Sequence, residues 1–536
     1  MSPSANFSHF LFIILALLKG FSYLKGIESA DVVAENYIIR VASQSSARDH
    51  EDEKETMISE ALNPVLVLDN TVNVRELLKE DPFSQWTYRS RWSELSDLEL
   101  TSDSMSKAIQ AGKASRLKRV LLKALAGKKI NVVIVGGSNS AGGKLGVDEG
   151  SLDGLYFKVF TKWWNDTIAK ATNAFMKEHE VTIGGTGSYV FAFCYKTFIP
   201  RDLDIDIVLI EASINFNIRG KAEPLEQLTR QVLSYPSAPA VFYINLVSGL
   251  GLDPTTQKVI NPLCTNLENF RQTELAHHYG ISSFSLKEVL CRKKDDGWEA
   301  AVINLAGSDG RHIGIKAHAQ VAMMIIEHVR GVFKEVINDV RNDVNAKEIA
   351  SSALPELFFL KRKTEALSDP LCWTGLTPDV YQSRQRSNLK LDVIGSKGFY
   401  QKGGSKTGQY SDGNNKTDLR TDAQGGWTAW NDHSILKLRI LVPPLNSQTM
   451  PESRSVIVVA HTSGYGGKAK LWLDDNKDQA IYVDSKANFG NNQLNTVATR
   501  VDPGYHIVTI KTLRWGMFMV SGLFVGPPDF NKREVL

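Results

Sequence analysis

Several things are scarce in these 536 residues. Net charge is one. The 62 basic and 59 acidic residues leave only +3, so no electrostatic case for a nucleic-acid partner arises. Clustered metal ligands are another. The chain has no CxxC pair and no Cys/His cluster, so no metal and no other cofactor is implied. No internal repeat recurs, which argues against a repeat architecture. The N-terminal apolar run, Phe10 to Leu18 (FLFIILALL), stops short of the roughly 18 residues that cross a bilayer. Cysteine is limited to Cys194, Cys264, Cys291 and Cys372. An even count permits two disulfides in any of three pairings.

What is present begins with that apolar run, which has the length of a signal-peptide core. Small residues follow at Ser29 and Ala30, although no Lys or Arg precedes the run. Residues 1–30 read as a signal peptide, with an uncleaved N-terminal anchor as the alternative. The first makes the protein secreted or lumenal. The second makes it type II membrane-anchored, and only then is a membrane its partner. Acceptor sequons at Asn165 and Asn415 agree with secretory routing. Residues 31–60 are polar and charged and read as a flexible stem.

A regular pattern then emerges. Ile130–Val135, Ile205–Ile210 and Ala240–Val247 are apolar runs with β-branched residues, as in strands buried on both faces. Helical spacing lies between and around them. Phe157, Phe160, Trp164, Ile168, Ala171 and Phe175 step by three or four, and Pro224–Leu233, Asn266–His278 and Ile313–Val332 are helix-like. Strands alternating with helices predict a parallel sheet covered on both sides, spanning 61–335 with an N-terminal extension. Residues 337–350 are charged and read as a boundary between two cores, so the halves are expected to separate near residue 340. Residues 336–430 read as linker and loops. From 431 to 536, short strand-like runs separated by turns predict an all-β sandwich-like domain.

Parallel sheets place reactive groups in loops at the carboxyl ends of strands. Read in order, those loops give Gly136-Gly137-Ser138, then Gly184-Gly185-Thr186-Gly187, then Glu211-Ala212-Ser213-Ile214-Asn215, then Asp309-Gly310-Arg311-His312. A serine after two glycines can be presented on a sharp turn. Its hydroxyl needs a base, and histidine suits that task near neutral pH. A carboxylate three residues before the histidine can hold the imidazole tautomer.

The ordered set resembles the SGNH (GDSL-like) hydrolase superfamily over roughly 115–330, and the β-rich C-terminus is similar to that of some eukaryotic secretory-pathway members. The resemblance implies a three-layer αβα, flavodoxin-like domain. It also implies a nucleophile Ser138, partners Asp309 and His312, and an oxyanion hole from the Ser138 N–H, the Gly185 N–H and the Asn215 amide. The sequence departs from the pattern at Gly137, where the family has Asp, at Phe216, where Asp is common, and at Ile313, where Pro is frequent.

The resulting expectation is a serine hydrolase acting on carboxyl esters through an acyl-serine. Secretory routing and the extra β domain tilt its substrate partner toward an acylated glycan, which would make it a carbohydrate O-acetyl esterase. Two alternatives stay open: a glycan O-acyltransferase, and a non-catalytic glycan-binding protein with the same fold. Nothing in the sequence fixes an oligomeric state.

Overall fold

The computed structural model describes residues 64–80, 95–143, 145, 152–199, 202–211, 213–215, 222–246, 270–290, 305, 307, 312–342, 354–360, 371–376, 388–402, 424–444, 454–488 and 490–526. Within the first half the strands are β1 (Ile109–Gln110), β2 (Ile130–Gly136), β3 (Met176–Thr182), β4 (Ile207–Glu211), β5 (Ala240–Asn245) and β6 (Ser282–Ser285). They form a six-stranded sheet in the order β1-β6-β5-β4-β2-β3. Every pairing is parallel except that of the short edge strand β1. The helices are α1 (Pro64–Leu77), α2 (Ser102–Ala108), α3 (Ser115–Leu125), α4 (Tyr156–Asp166) and α5 (Ile168–Thr172). They continue as α6 (Ser188–Phe198), α7 (Glu223–Leu233), α8 (Phe270–Tyr279), α9 (Leu286–Leu290) and α10 (Ile315–Arg341).

The expected parallel sheet and its covering helices are therefore present. β2 is buried at every position and lies between β3 and β4, which is what its run of β-branched residues requires. Its Val133 and Val135 face α6 and α7. α4 packs on α10 across the other face. One helix predicted over 157–175 is two. The chain breaks at Thr167, whose hydroxyl bonds the Trp163 carbonyl, and Asn173 then takes a left-handed turn. The Asn165 amide is paired with both backbone groups of Met176, closing the start of β3. Asn415 lies outside the described residues.

The second half holds β7 (Leu371–Thr374), β8 (Leu391–Lys397), β9 (Tyr400–Lys402), β10 (Gly426–Ala429), β11 (Ile435–Val442) and β12 (Ser455–Thr462). After these come β13 (Lys468–Leu473), β14 (Ile481–Asp484), β15 (Asn491–Ala498), β16 (Gly504–Arg514) and β17 (Phe518–Gly526). Two antiparallel sheets result. One runs β15-β12-β17-β10-β9 with β7 also on β17, and the other runs β14-β13-β16-β11-β8. Four of these strands come from the stretch read as linker and loops. Their composition hid them: β8 and β9 are largely exposed and carry no alternating apolar face.

β11 alternates buried and exposed residues, as a strand with one wet face should. β12 does not, because both its faces are covered. Val456, Val458 and Ala460 enter the sandwich core, whereas Ile457 and Val459 enter the core built on α6 and α7. Phe524 of β17 joins that second core and stacks on Phe193 at 4.9 Å between ring centroids. A Cys194–Cys372 disulfide ties α6 to β7 at the same seam. Of the three pairings left open by the sequence, this bond selects the one containing it, while Cys264 and Cys291 lie outside the described residues. Residues 63–536 form one compact unit. α10 continues to Arg341, and residues of β7, β12, β15 and β17 share the core built on α6 and α7. Among the described residues no helix is long and apolar enough to cross a membrane.

A chain cut after Arg341 should expose the apolar faces of α6 and α7 and aggregate, as light scattering would show. In the intact chain, replacing both Cys194 and Cys372 by Ala should cost about 2–4 kcal/mol in urea unfolding. A soluble, monomeric truncation would contradict the shared core.

Candidate active site

The chain leaves β2 at Gly136 and turns through residues 137–143, held by backbone bonds from Ala141 N to Gly137 O (3.0 Å) and from Gly143 N to Ser138 O (2.7 Å). From Ile130 to Ser140, Ser138 alone is not buried. The loop therefore pushes one hydroxyl out of the interior at the end of a central strand. His312 meets it: Nε2 lies 2.8 Å from Ser138 Oγ. The histidine loop is fastened to the serine loop by the next residue of each, since Ile313 N–H donates to Asn139 Oδ1 at 3.0 Å. A hydroxyl bonded to an imidazole nitrogen can give up its proton as it attacks a carbonyl carbon. Asp309 lies outside the described residues. His318, one helical turn and a half further on, is buried. Its Nδ1 accepts the Tyr156 N–H at 3.4 Å, and its ring stacks on Tyr156.

β3 runs parallel to β2, and Ile183 N–H extends their ladder by bonding Gly136 O at 2.9 Å. That register brings Gly184-Gly185 alongside the serine; a Cβ on Gly184 would lie 3.8 Å from the Ser138 Cβ. Gly185 adopts φ +63°, and a side chain there would meet the Gly490 carbonyl at 2.6 Å. Both the backbone shape and the close approach demand glycine. Asn215, beyond β4, places its Nδ2 in the interior with no hydrogen-bond partner among the described residues. That nitrogen sits where a Cβ on residue 137 would stand. Gly137 is thus explained locally: any larger residue would displace the Asn215 amide. Of the residues singled out from sequence, the structure gathers Ser138, His312, Gly185 and Asn215 around the ends of β2, β3 and β4.

Glu211 was missed. It ends β4, and its Oε2 accepts from Gly137 N (3.1 Å), Ser140 N (3.1 Å) and the Ser140 hydroxyl, which also contacts Tyr156 OH at 3.0 Å. One carboxylate oxygen thereby organises the whole turn beneath Ser138. Burial pushes the Glu211 carboxyl above the ordinary value of 4.5, against the pull of the Ser140 hydroxyl, the two N–H groups and the nearby His312. The signal in the sequence was an acid closing an otherwise apolar strand, Ile207–Glu211. Among the described residues no group of acids, histidines and cysteines is arranged to hold a metal.

No protein-family model matches the chain, and no curated protein matches it. Solved structures do. A two-domain esterase (CEX) active on acetylated mannans aligns with a TM-score of 0.55 at 18% identity, over 79% of this chain and 99% of that one. The same esterase co-crystallised with mannopentaose aligns with a TM-score of 0.52 at 18% identity, over 79% and 98%. The psychrotrophic esterase EstA from Pseudoalteromonas sp. aligns over 38% of this chain and 97% of its own at 15% identity, with a TM-score of only 0.26. The likeness to the first two is one of fold: an α/β domain followed by a β domain in a single chain.

The raised Glu211 value has a consequence for stability. Well below pH 4.5 the unfolded chain also holds the proton, and well above the raised value neither state does. Between the two only the folded chain keeps it, so this group's contribution to stability falls as pH rises through that window. Glu211→Gln has no proton to lose there. Urea unfolding of both proteins from pH 4.5 to neutrality should show the difference moving in the variant's favour; a constant difference would mean the carboxyl is not shifted.

Proposed function

We propose that the protein is a carboxyl-ester hydrolase that forms an acyl-enzyme on Ser138. The observation that carries this reading is the 2.8 Å bond between Ser138 Oγ and His312 Nε2, at a serine that emerges from a buried turn. His312 takes the hydroxyl proton as Oγ attacks the ester carbonyl carbon. The oxyanion that develops receives hydrogen bonds from the Ser138 and Gly185 N–H groups and from Asn215 Nδ2, an interior donor with no partner among the described residues. His312 then protonates the departing alcohol. Water attacks the acyl carbon with His312 again as base, and Ser138 leaves with its proton restored. Asp309, three residues before His312 in the chain, is assigned the role of holding the imidazole and stabilising its charged form.

The substrate class proposed is an O-acetylated glycan. The support is the fold shared with an esterase active on acetylated mannans, in the same order of domains. Delivery into the secretory pathway, by the apolar run at Phe10–Leu18, is part of the proposal. The Cys194–Cys372 bond supports an oxidising compartment.

Purified protein should release acetate from acetylated mannan and from a soluble aryl acetate. Ser138→Ala should lower kcat by about 10⁴–10⁶-fold. Asn215→Ala should lower it by about 10²–10³-fold with KM little changed, because the donor it removes acts on charge present only in the transition state. A phosphonate should modify Ser138. An adduct on another serine, or full activity in Ser138→Ala, would remove the assignment.

A further inference from the structure

We infer that the β domain is part of the catalytic apparatus, with Gln424 and Asn492 acting as positioning residues for the Gly184–Thr186 loop. This deepens the acyl-serine reading and rests on it.

The argument starts from the planarity of the peptide unit. The carbonyl of Gly184 and the N–H of Gly185 belong to one rigid, trans unit and point in opposite directions. Whatever fixes the carbonyl therefore aims the N–H. Gln424, just before β10, donates from Nε2 to Gly184 O at 2.6 Å. The assignment of nitrogen and oxygen is not arbitrary here, because a carbonyl can only accept. The bond also polarises the unit and strengthens its N–H as a donor.

The next peptide unit is held from the same side. The Gly185 carbonyl accepts the Asn492 N–H at 3.0 Å. The side chain of Asn492, wholly buried, donates from Nδ2 to Thr186 Oγ1 at 2.8 Å. Its Oδ1 accepts the Ser521 hydroxyl at 3.0 Å. Ser521 sits where the pairing of β12 and β17 slips by one residue, between Val459–Gly522 and Ala460–Val520. Such a bulge re-aims a side chain, and here the side chain completes the Asn492 amide. One residue earlier, Asn491 Oδ1 accepts the Tyr189 hydroxyl at 3.1 Å.

A Gly-Gly sequence has more backbone freedom than any other pair, so by itself it would be a poor support for a directed donor. Within the α/β domain the loop supplies one longer bond of its own, from Thr186 Oγ1 to Gly184 O at 3.3 Å, while the shorter bonds to the Gly184 and Gly185 carbonyls come from Gln424 and Asn492. An appended module that only gathered substrate would need no bonds to these particular carbonyls.

The test uses the full chain and a soluble aryl acetate, so that polymer binding plays no part. Gln424→Met keeps length and removes the donor; Gln424→Glu keeps shape and turns a second acceptor toward the Gly184 carbonyl. Both should lower kcat by about 10–100-fold, the scale of a small misplacement of a catalytic group. KM should change little, and the shape of the pH profile and the melting temperature should stay as in wild type. Affinity for a boronic acid that forms a tetrahedral adduct on Ser138 should fall in step with kcat. Asn492→Asp is the second variant, expected to lose kcat likewise. Wild-type kcat in folded Gln424→Met and Gln424→Glu would overturn the inference, as would losses that merely track the unfolded fraction. No turnover by wild type on any ester would instead overturn the hydrolase reading and take this inference with it.

Discussion

A β-sheet buried on both faces is the constraint on which the rest of this structure depends. β12 and β17 give alternate residues to two cores, one inside the sandwich and one against α6 and α7. A strand in that position cannot be half polar, and Ser455–Ala460 and Phe518–Gly526 are accordingly near-continuous apolar runs. Because the same strands serve both cores, the β half cannot move away from the α/β half without exposing apolar surface on each. The disulfide at Cys194 and Cys372 sits in this wall, and so do the strand ends that reach residues 184–189. Packing of an ordinary kind is what allows hydrogen bonds across the seam to be directional and lasting.

Beneath the serine a different interaction sets the geometry. Glu211 is drawn in two directions. Burial favours its neutral form, and three donors converging on one oxygen favour its charged form. A carboxylate in such a place is tolerated because each donor would otherwise be left without a partner in the turn. The result is a loop with little latitude: Gly137 and Ser140 are fixed to β4, Asn139 is fixed to the residue after His312, and only Ser138 is left to face outward.

How legible this was depends on the range of the interaction. β2, β4 and β5 announce themselves because each is a local apolar run, and the glycine-flanked serine and Asp-x-x-His are local too. Chain order and the ends of parallel strands then bring Ser138, Gly185, Asn215 and His312 together, and the structure places them accordingly. β6 has the sequence SSFS and its burial comes from neighbours, so no periodicity marks it. β7 to β10 are short or wet on one side. Gln424 and Asn492 were invisible for another reason: each matters through a partner 240 or 306 residues away, and nothing about an isolated Gln or Asn foretells it, whereas Glu211 carried only the faint mark of an acid at the end of an apolar strand. Nor does composition near residue 340 foretell that Ile457, Val459 and Phe524, more than 100 residues later, pack into the core of α6 and α7.

The Asn215 nitrogen, without a partner among the described residues, joins these observations. An interior amide with no acceptor costs stability, and folded chains leave few such groups. Gly137 makes room for the nitrogen, which would stand 2.1 Å from a Cβ at that position. Under the acyl-serine reading the missing acceptor is the oxyanion, which exists only in the transition state. A donor kept ready for it must be held in place during the whole time it is unsatisfied. Glycine at position 137 follows from where this chain keeps that amide.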